Sequence, residues 1–249
     1  MIYGELPSGD FKLFASCDQV YFKKHGIPLI YSADEHQTDL HIHVVNPSDY
    51  SFTIANIMKQ ETAIDLTISF EDANVNFDPR IFYSINRFLV AKDMLKNLKS
   101  MMIIDTDCLI MKRIKGDMFG GDYGLFLRDP IPNANEWETL GTHVAAGAVY
   151  IKQGCEFIQD VGFDLYSAKE KQWFMDQVAL WQVHQEYEKK KDVEFFPIES
   201  TFIDWEFKKK THIWTGKGPR KDNDPKYVEE KMQNIGFFQD WDESFWNES

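Results

Sequence analysis

An α/β sandwich on one central sheet is the fold class that this 249-residue sequence predicts, and three observations predict it. Short apolar runs alternate with stretches whose apolar residues repeat at helical spacing, the pattern of strands joined by helices. One run, Met101 to Ile104, is apolar throughout and follows Lys99-Ser100, as expected of a strand buried on both faces. The chain is also long enough to enclose a full core, and no repeat, low-complexity tract or linker divides it.

Taken in order, Phe11 to Ser16 reads as the first strand and Leu40 to Val45 as the second, ended by Asn46-Pro47. Between them Asp18 to Glu35 predicts a helix broken near Gly26 and Pro28. Ile64 to Phe70 alternates as a third strand. Asp78-Pro79 opens a helix whose Phe82, Ile85, Phe88 or Leu89, Leu95 and Leu98 recur at helical spacing and which leads into the Met101 strand. Further strands are expected at Tyr123 to Leu127, ended by Arg128-Asp129-Pro130, at Ala145 to Ile151 and at Val193 to Pro197. Helices are expected over about Glu156 to Lys169 and Gln172 to Lys190. A loop-rich return carries His212 to Lys221. Loops between Asp129 and Thr142 are long and polar enough to form a substrate rim, and the tail Trp241 to Trp246 is acidic and aromatic.

Bulk properties exclude some functions. A net charge of −13 argues against an extended nucleic-acid groove and against attraction to anionic membranes. No segment approaches the roughly 20 apolar residues of a membrane span, and the N-terminus lacks the basic and apolar regions of a signal peptide. Cys17, Cys108 and Cys155 have no metal-ligand spacing and read as reduced thiols of a cytoplasmic protein.

Asp105 and Asp107 carry the chemistry. Asp-x-Asp also occurs in solvated turns, but here it terminates a wholly apolar strand, and open α/β sheets place ligands at the carboxyl ends of their strands. Two such acids offer oxygen ligands to a hard divalent ion, Mn²⁺ or Mg²⁺, of the kind that neutralises phosphate oxygens. A second signal is Thr211-His-Ile-Trp-Thr-Gly-Lys-Gly-Pro-Arg-Lys221. An imidazole there can complete a metal shell, and Lys217, Arg220 or Lys221 can neutralise a diphosphate. Gly216 and Gly218 would let backbone amides approach phosphate oxygens. The plain alternative is a surface loop with a basic tip.

Together these pieces resemble the GT-A glycosyltransferases, most closely the retaining family that includes glycogenin, galactinol synthase and lipopolysaccharide galactosyltransferases. The resemblance runs from about Lys12 to Lys221 in separated motifs. Phe14-Ala-Ser-Cys-Asp18 is similar to the family's first strand and nucleotide turn, and the helix with Tyr83 and Arg87 to its donor-facing helix. Asp105-Thr106-Asp107 is similar to its metal motif, Ala145-Ala146-Gly147 to its Asn-Ala-Gly strand, and Asp176-Gln177 to its Asp-Gln helix. His212 with Gly216 and Lys217 is similar to its terminal loop.

The resemblance implies a single GT-A domain with a mixed, mostly parallel sheet flanked by helices. Residues 1–110 would form a Rossmann-like nucleotide-sugar half, 111–221 the acceptor- and metal-completing half, and 222–249 a tail. It implies that Asp105, Asp107 and His212 hold Mn²⁺ (or Mg²⁺) on the diphosphate of a nucleotide-sugar, a UDP-sugar in the first instance. Ala15, Asp18 and Thr106 would line the nucleotide side, with Gly216 and Lys217 on the diphosphate. Arg87 and Asp176 would hold the donor sugar, and Gln177 would sit beneath the anomeric carbon. The acceptor would be a carbohydrate, lipid-linked or protein hydroxyl, glycosylated with retention.

Three departures are visible. Cys17 precedes Asp18 where the family has its usual acid, Ala145 stands in place of asparagine, and His212 lies one residue further from Gly216 than is common. Two rival readings are a metal-dependent nucleotidyltransferase, for which no glycine-rich phosphate loop is present, and a noncatalytic nucleotide-sugar or carbohydrate-binding module. Elsewhere, His41 and His43 share one face of the second strand, where a strand edge with two ordinary imidazoles is the simpler reading than a metal clasp. His143 reads as a loop contact, Cys108 as a packed thiol, the lysine runs as solvated faces, and Trp137 and Trp214 as candidate sugar contacts.

Overall fold

Most of the apolar runs enter one sheet. The computed structural model describes residues 1–129 and 135–235. The first half of the chain forms β1 (Ile2–Gly4), β2 (Gly9–Asp18), α1 (Gln19–Tyr21), a π-helical turn (Phe22–Gly26), α2 (Ile27–Glu35), β3 (Leu40–Val45), α3 (Asp49–Glu61), β4 (Leu66–Glu71), α4 (Pro79–Met94) and β5 (Leu98–Ile104). There follow β6 (Cys108–Ile110), β7 (Tyr123–Leu127), α5 (Glu136–Thr142), β8 (Val144–Lys152), α6 (Phe157–Ser167) and α7 (Met175–Tyr187). The chain continues through β9 (Phe195–Pro197), β10 (Ile203–Asp204), β11 (Ile213–Thr215), α8 (Arg220–Asn223) and α9 (Pro225–Ile235).

The main sheet has eight strands in the order β1-β4-β3-β2-β5-β8-β7-β9. β4, β3, β2 and β5 run parallel, as do β7 and β9; β1 is antiparallel to β4, and β8 to both β5 and β7. The class is therefore the expected one, an α/β fold with a mixed, mostly parallel sheet flanked by helices, and strands from both expected halves share that sheet. One face packs Leu13, Ala15, Ile42 and Ile104 against Ile30 of α2 and Ile54 and Met58 of α3. The other packs Phe14, Met101 and Ile103 against Ile85 and Phe88 of α4, Val161 of α6 and Leu180 of α7. β5 is buried on both faces except at Lys99, as its unbroken apolar run requires.

Local chemistry explains the boundaries. Asp78 caps α4 by accepting from the Arg80 N–H, and Pro79 takes the first turn, where its missing N–H costs nothing. The expected break at Gly26 and Pro28 is bridged instead: the π-helical turn runs into α2, with Pro28 in the first turn of α2. Helix α3 has no counterpart among the expected elements, although a capping box opens it, the Ser48 N–H donating to Ser51 Oγ at 3.2 Å. β6 was equally unexpected. It follows Asp107 directly and joins β11 and β10 in a second, three-stranded sheet.

His41 and His43 are not on an edge. β3 lies between β4 and β2, and both imidazoles are fully buried. His41 meets Thr67 and Ser69 hydroxyls at 2.9 Å each, and His43 meets the same Ser69 hydroxyl at 2.9 Å and Glu71 at 3.4 Å. Burial, with His43 and Lys12 adding to it, holds His41 well below the usual histidine range, so it sits there neutral. Among the described residues no helix is long and apolar enough to cross a membrane. The tail Trp241 to Trp246, and 130–134 of the expected rim, lie outside the described residues.

Candidate functional site

Because β2 and β5 are parallel, Asp18 and Asp105 emerge at the same end of the sheet. β8 is antiparallel and contributes its beginning to that end, with Ala148 in register with Ile104. Gly147 is therefore set against Asp105. A Cβ on Gly147 would run into the Asp105 carboxylate, so only glycine admits this approach. Helix α4 sends Arg87 into the same corner, and the start of α7 sends Asp176.

Arg87 is the hub. Its Nη1 donates to Asp105 Oδ1 and its Nη2 to Asp176 Oδ2 at 3.3 Å, while Nε is buried with no hydrogen-bond partner. Burial opposes the guanidinium charge, but Asp105 and Asp176 outweigh it and raise the Arg87 pKa. Burial raises the Asp176 carboxyl in turn, with Arg87 pulling against it. Three site residues expected from separated motifs thus meet in one ion-paired cluster. Since Gly147 is what lets Asp105 reach that cluster, Gly147→Ala is expected to shift a carboxylate already held by Arg87. The expected result is a loss of activity of about 100-fold, the order that a small misplacement causes, with about 1–3 kcal/mol of stability lost to overpacking. Turnover and urea unfolding of the same preparation check this; an unchanged turnover would mean Asp105 need not be so placed.

Asp107 belongs to a second cluster. Lys221 Nζ donates to Asp107 Oδ2 at 2.8 Å and to the Tyr21 hydroxyl, which itself donates to Asp107 Oδ2 at 3.3 Å. The Asp107 carbonyl accepts from the Gly216 N–H at 2.8 Å and from the Tyr227 hydroxyl at 2.8 Å. Burial and the neighbouring Asp105 push the Asp107 carboxyl above the usual range, and Lys221 and Tyr21 pull it back. Gly216 thus spends its amide on Asp107, not on a ligand. Its missing Cβ has a use, because a Cβ there would collide with Lys221 Cβ and the Tyr227 ring.

The other expected residues are distributed as follows. Gln177 Oε1 accepts from Arg128 Nη2 at 2.7 Å, beside the Arg87 cluster. Thr106 is buried and donates to the Ser16 carbonyl at 3.2 Å, tying the aspartate turn to the end of β2. Ala15 is fully buried in the core, and Asp18 caps α1, accepting from the Tyr21 N–H at 2.6 Å. Lys217 is exposed, its ammonium 5.5 Å from the Trp205 ring centroid; partial burial and Arg128 lower its pKa, against the pull of Asp105 and Asp176. His143 stacks on Trp181 at 4.3 Å, Trp137 Nε1 donates to the Trp173 carbonyl at 2.8 Å, and Trp214 is buried, donating to the Lys208 carbonyl. Burial of Trp214 removes it as a candidate sugar contact.

His212 is not brought to the aspartates. In the β6–β11 pairing Thr215 faces Cys108, whereas the His212 carbonyl accepts from the Met111 N–H. Four register positions, roughly 13 Å at strand rise, separate it from Asp107. It stacks on Phe202 at 4.9 Å instead, and burial with nearby Lys112 keeps its pKa low. A divalent ion needs several open oxygen or nitrogen ligands. Here Asp105 holds Arg87, Asp107 holds Lys221, and among the described residues no three metal-ligating side chains converge. The residues as arranged do not fit a resident Mn²⁺ or Mg²⁺.

Arg128, Tyr21 and Tyr227 complete the site without having been singled out. Arg128 follows the end of β7, whose direction puts it at the same end of the sheet as Asp105. Its Nε donates to the Thr142 carbonyl at 2.6 Å and its Nη2 to the Val144 carbonyl at 3.2 Å; among the described residues it has no carboxylate partner. An arginine closing a strand at that end was a usable signal. Tyr227 comes from α9, and nothing local in its sequence marks it.

Lys231, also on α9, is buried, and burial with Lys24 and Lys221 nearby lowers its pKa to about 8. An unfolded lysine titrates at roughly 10.4. Between those values the unfolded chain holds a proton that the folded chain does not, so stability rises with pH across that window. Wild type is expected to gain in melting temperature relative to Lys231→Met between about pH 8 and about pH 10. Parallel melting curves that keep a constant gap would refute this.

No family model matches the sequence, and no curated protein is similar to it in sequence. Solved structures do match. The bifunctional glycosyltransferase WbbM superposes with a TM-score of 0.65 at 13% identity, over 94% of this chain and 50% of that one. The galactosyltransferase LgtC, solved with donor and acceptor sugar analogues, gives 0.60 at 12% identity, over 95% of this chain and 99% of that one. Mouse xyloside xylosyltransferase 1 gives 0.52 at 11% identity, over 84% and 98%. This chain thus spans half the length of WbbM and nearly all of the other two. At these identities the likeness establishes the fold, which is the GT-A fold of glycosyltransferases.

Proposed function

We propose, from the premise of a GT-A fold, that this chain is a glycosyltransferase moving a sugar from a nucleotide-diphospho-sugar to an acceptor hydroxyl with retention of configuration. The observation that carries the proposal is the convergence of Asp105, Asp176, Gln177, Arg87 and Arg128 from four elements at the carboxyl end of β5. In such a reaction the anomeric C–O bond breaks and its electron pair stays on the departing diphosphate. The acceptor oxygen bonds the anomeric carbon, and its proton passes to the diphosphate. Positive charge develops on the sugar and negative charge on the leaving group, so the site must favour both. Asp105 and Asp176, fixed by Arg87, supply oriented acceptors for donor hydroxyls. Gln177, oriented by Arg128, supplies a neutral oxygen beneath the anomeric carbon; as a weak nucleophile it suits same-face attack through a short-lived ion pair. An LgtC structure carries an active-site replacement of glutamine by glutamate, the residue type that Gln177 supplies here. Arg128 and Lys217 supply cations for the leaving diphosphate. A UDP-sugar is the first donor to try, and the acceptor is a carbohydrate, lipid-linked or protein hydroxyl.

A panel of nucleotide-sugars with nucleoside diphosphate release as readout tests the reading. Release from at least one donor is expected, slowed about 100-fold in Asp176→Asn as for the loss of one electrostatic partner. The anomeric configuration of the product, read by NMR, decides retention. Donor binding without release would instead mark a binding module, and pyrophosphate release from a nucleoside triphosphate would mark a nucleotidyltransferase.

A further inference from the structure

The geometry points to Lys221 as the cation that takes the place of a divalent metal: we propose that this chain binds its nucleoside diphosphate through the Lys221 ammonium, without Mn²⁺ or Mg²⁺. The inference rests on the proposed nucleotide-sugar donor, but its test separates the two. The position of Lys221 is built. Its Nζ lies 2.8 Å from Asp107 Oδ2 and donates to the Tyr21 hydroxyl, so carboxylate and hydroxyl both hold the same ammonium. Gly216 makes this possible, since a Cβ there would collide with Lys221 Cβ and the Tyr227 ring and push the start of α8 away from Asp107. Tyr227 and the Gly216 amide then lock the Asp107 backbone beneath it.

An ammonium has three N–H donors. Asp107 and Tyr21 take two, which leaves the third for a phosphate oxygen. A metal bridging the two aspartates would have to expel Lys221 from Asp107 and compete with Arg87 for Asp105, and the histidine expected to complete its shell is roughly four strand positions away. In this arrangement Asp107 is a positioning residue that aims Lys221, and charge on the departing diphosphate is met by Lys221, Lys217 and Arg128.

Two measurements on the full chain test this. The first is calorimetric titration with UDP, GDP, ADP, CDP and dTDP in EDTA and again in saturating MnCl₂. Binding of at least one, equally tight in both, is expected, and Lys221→Met should weaken it about 10- to 100-fold, the range of one charge-assisted hydrogen bond. Lys221→Arg should retain most of it. Binding that requires or is tightened by MnCl₂ would overturn the inference, as would unchanged affinity in Lys221→Met. The second is the Mn²⁺ EPR spectrum with protein alone. Wild type should leave the Asp107 site unbound, with the same signal as Asp107→Asn, whereas Lys221→Met, its Asp107 freed, should bind Mn²⁺ more tightly than wild type. Wild-type binding that Asp107→Asn abolishes would overturn the inference even where no nucleoside diphosphate binds. Failure of all five diphosphates under both conditions, with the wild-type EPR signal unaffected by Asp107→Asn, would sink the donor reading and with it the diphosphate role of Lys221.

Discussion

Arg87→Met is expected to lower unfolding stability by about 3 kcal/mol, the scale for removing one partner of a buried ion pair. It should also lower glycosyl transfer by at least about 100-fold. The reason is the position of Arg87 between two carboxylates, Asp105 and Asp176: its loss leaves both unpaired, Asp176 buried and Asp105 with 34% of its side chain exposed. Arg87→Lys should rescue little of either, because a point charge cannot reach two carboxylates along two arms of a fork. Adding Asp176→Asn to Arg87→Met should recover part of the stability and none of the activity, since the buried charge is gone while the donor contacts remain lost. Urea unfolding and turnover on the three variants decide this. A single variant losing less than about 1 kcal/mol would mean the cluster is solvated.

The second large effect is expected at Arg128. Arg128→Met removes the donor to the Thr142 and Val144 carbonyls and the group that orients Gln177. Two half-buried carbonyls left without their donor cost about 1–3 kcal/mol. Loss of an oriented amide beneath the anomeric carbon and of a cation near the leaving group should together reduce turnover by about 100-fold or more. The informative comparison is with Lys217→Met, which has no such carbonyl contacts and should lose donor affinity without losing stability. If Arg128→Met destabilises the chain yet turns over normally, Arg128 is a brace for the start of β8 and nothing more.

Much of this was legible in the sequence. The strand at Leu40 to Val45 and the strand at Tyr123 to Leu127 lie at the limits expected for them, because Asn46-Pro47 and Arg128 close segments that are buried almost throughout, His41 and His43 included. Asp78-Pro79 fixed the start of α4 through a cap and a dihedral preference, both local. Asp105 at a strand end was recognisable from its neighbours, whereas Arg87 and Asp176-Gln177 stood out only through the family resemblance. Helix α3 was missed although its capping box is local, because Asn46-Pro47 read as a loop.

What no local pattern decides is which charge meets which. His212 and Lys221 stand in one eleven-residue segment, where the first was expected beside the aspartates and the second on a diphosphate. The β6–β11 register, set by pairing residues more than a hundred positions apart, turns His212 toward Phe202 and delivers Gly216 to Asp107. The absent side chain of Gly216 then lets Lys221 close on Asp107. Sequence alone determined that acids would end a buried strand in an α/β sheet, since burial and backbone preference act within a few residues. Only the tertiary structure decided that each acid would be answered by a cation of the chain itself, because ion pairing depends on distances that long-range strand register and helix docking set.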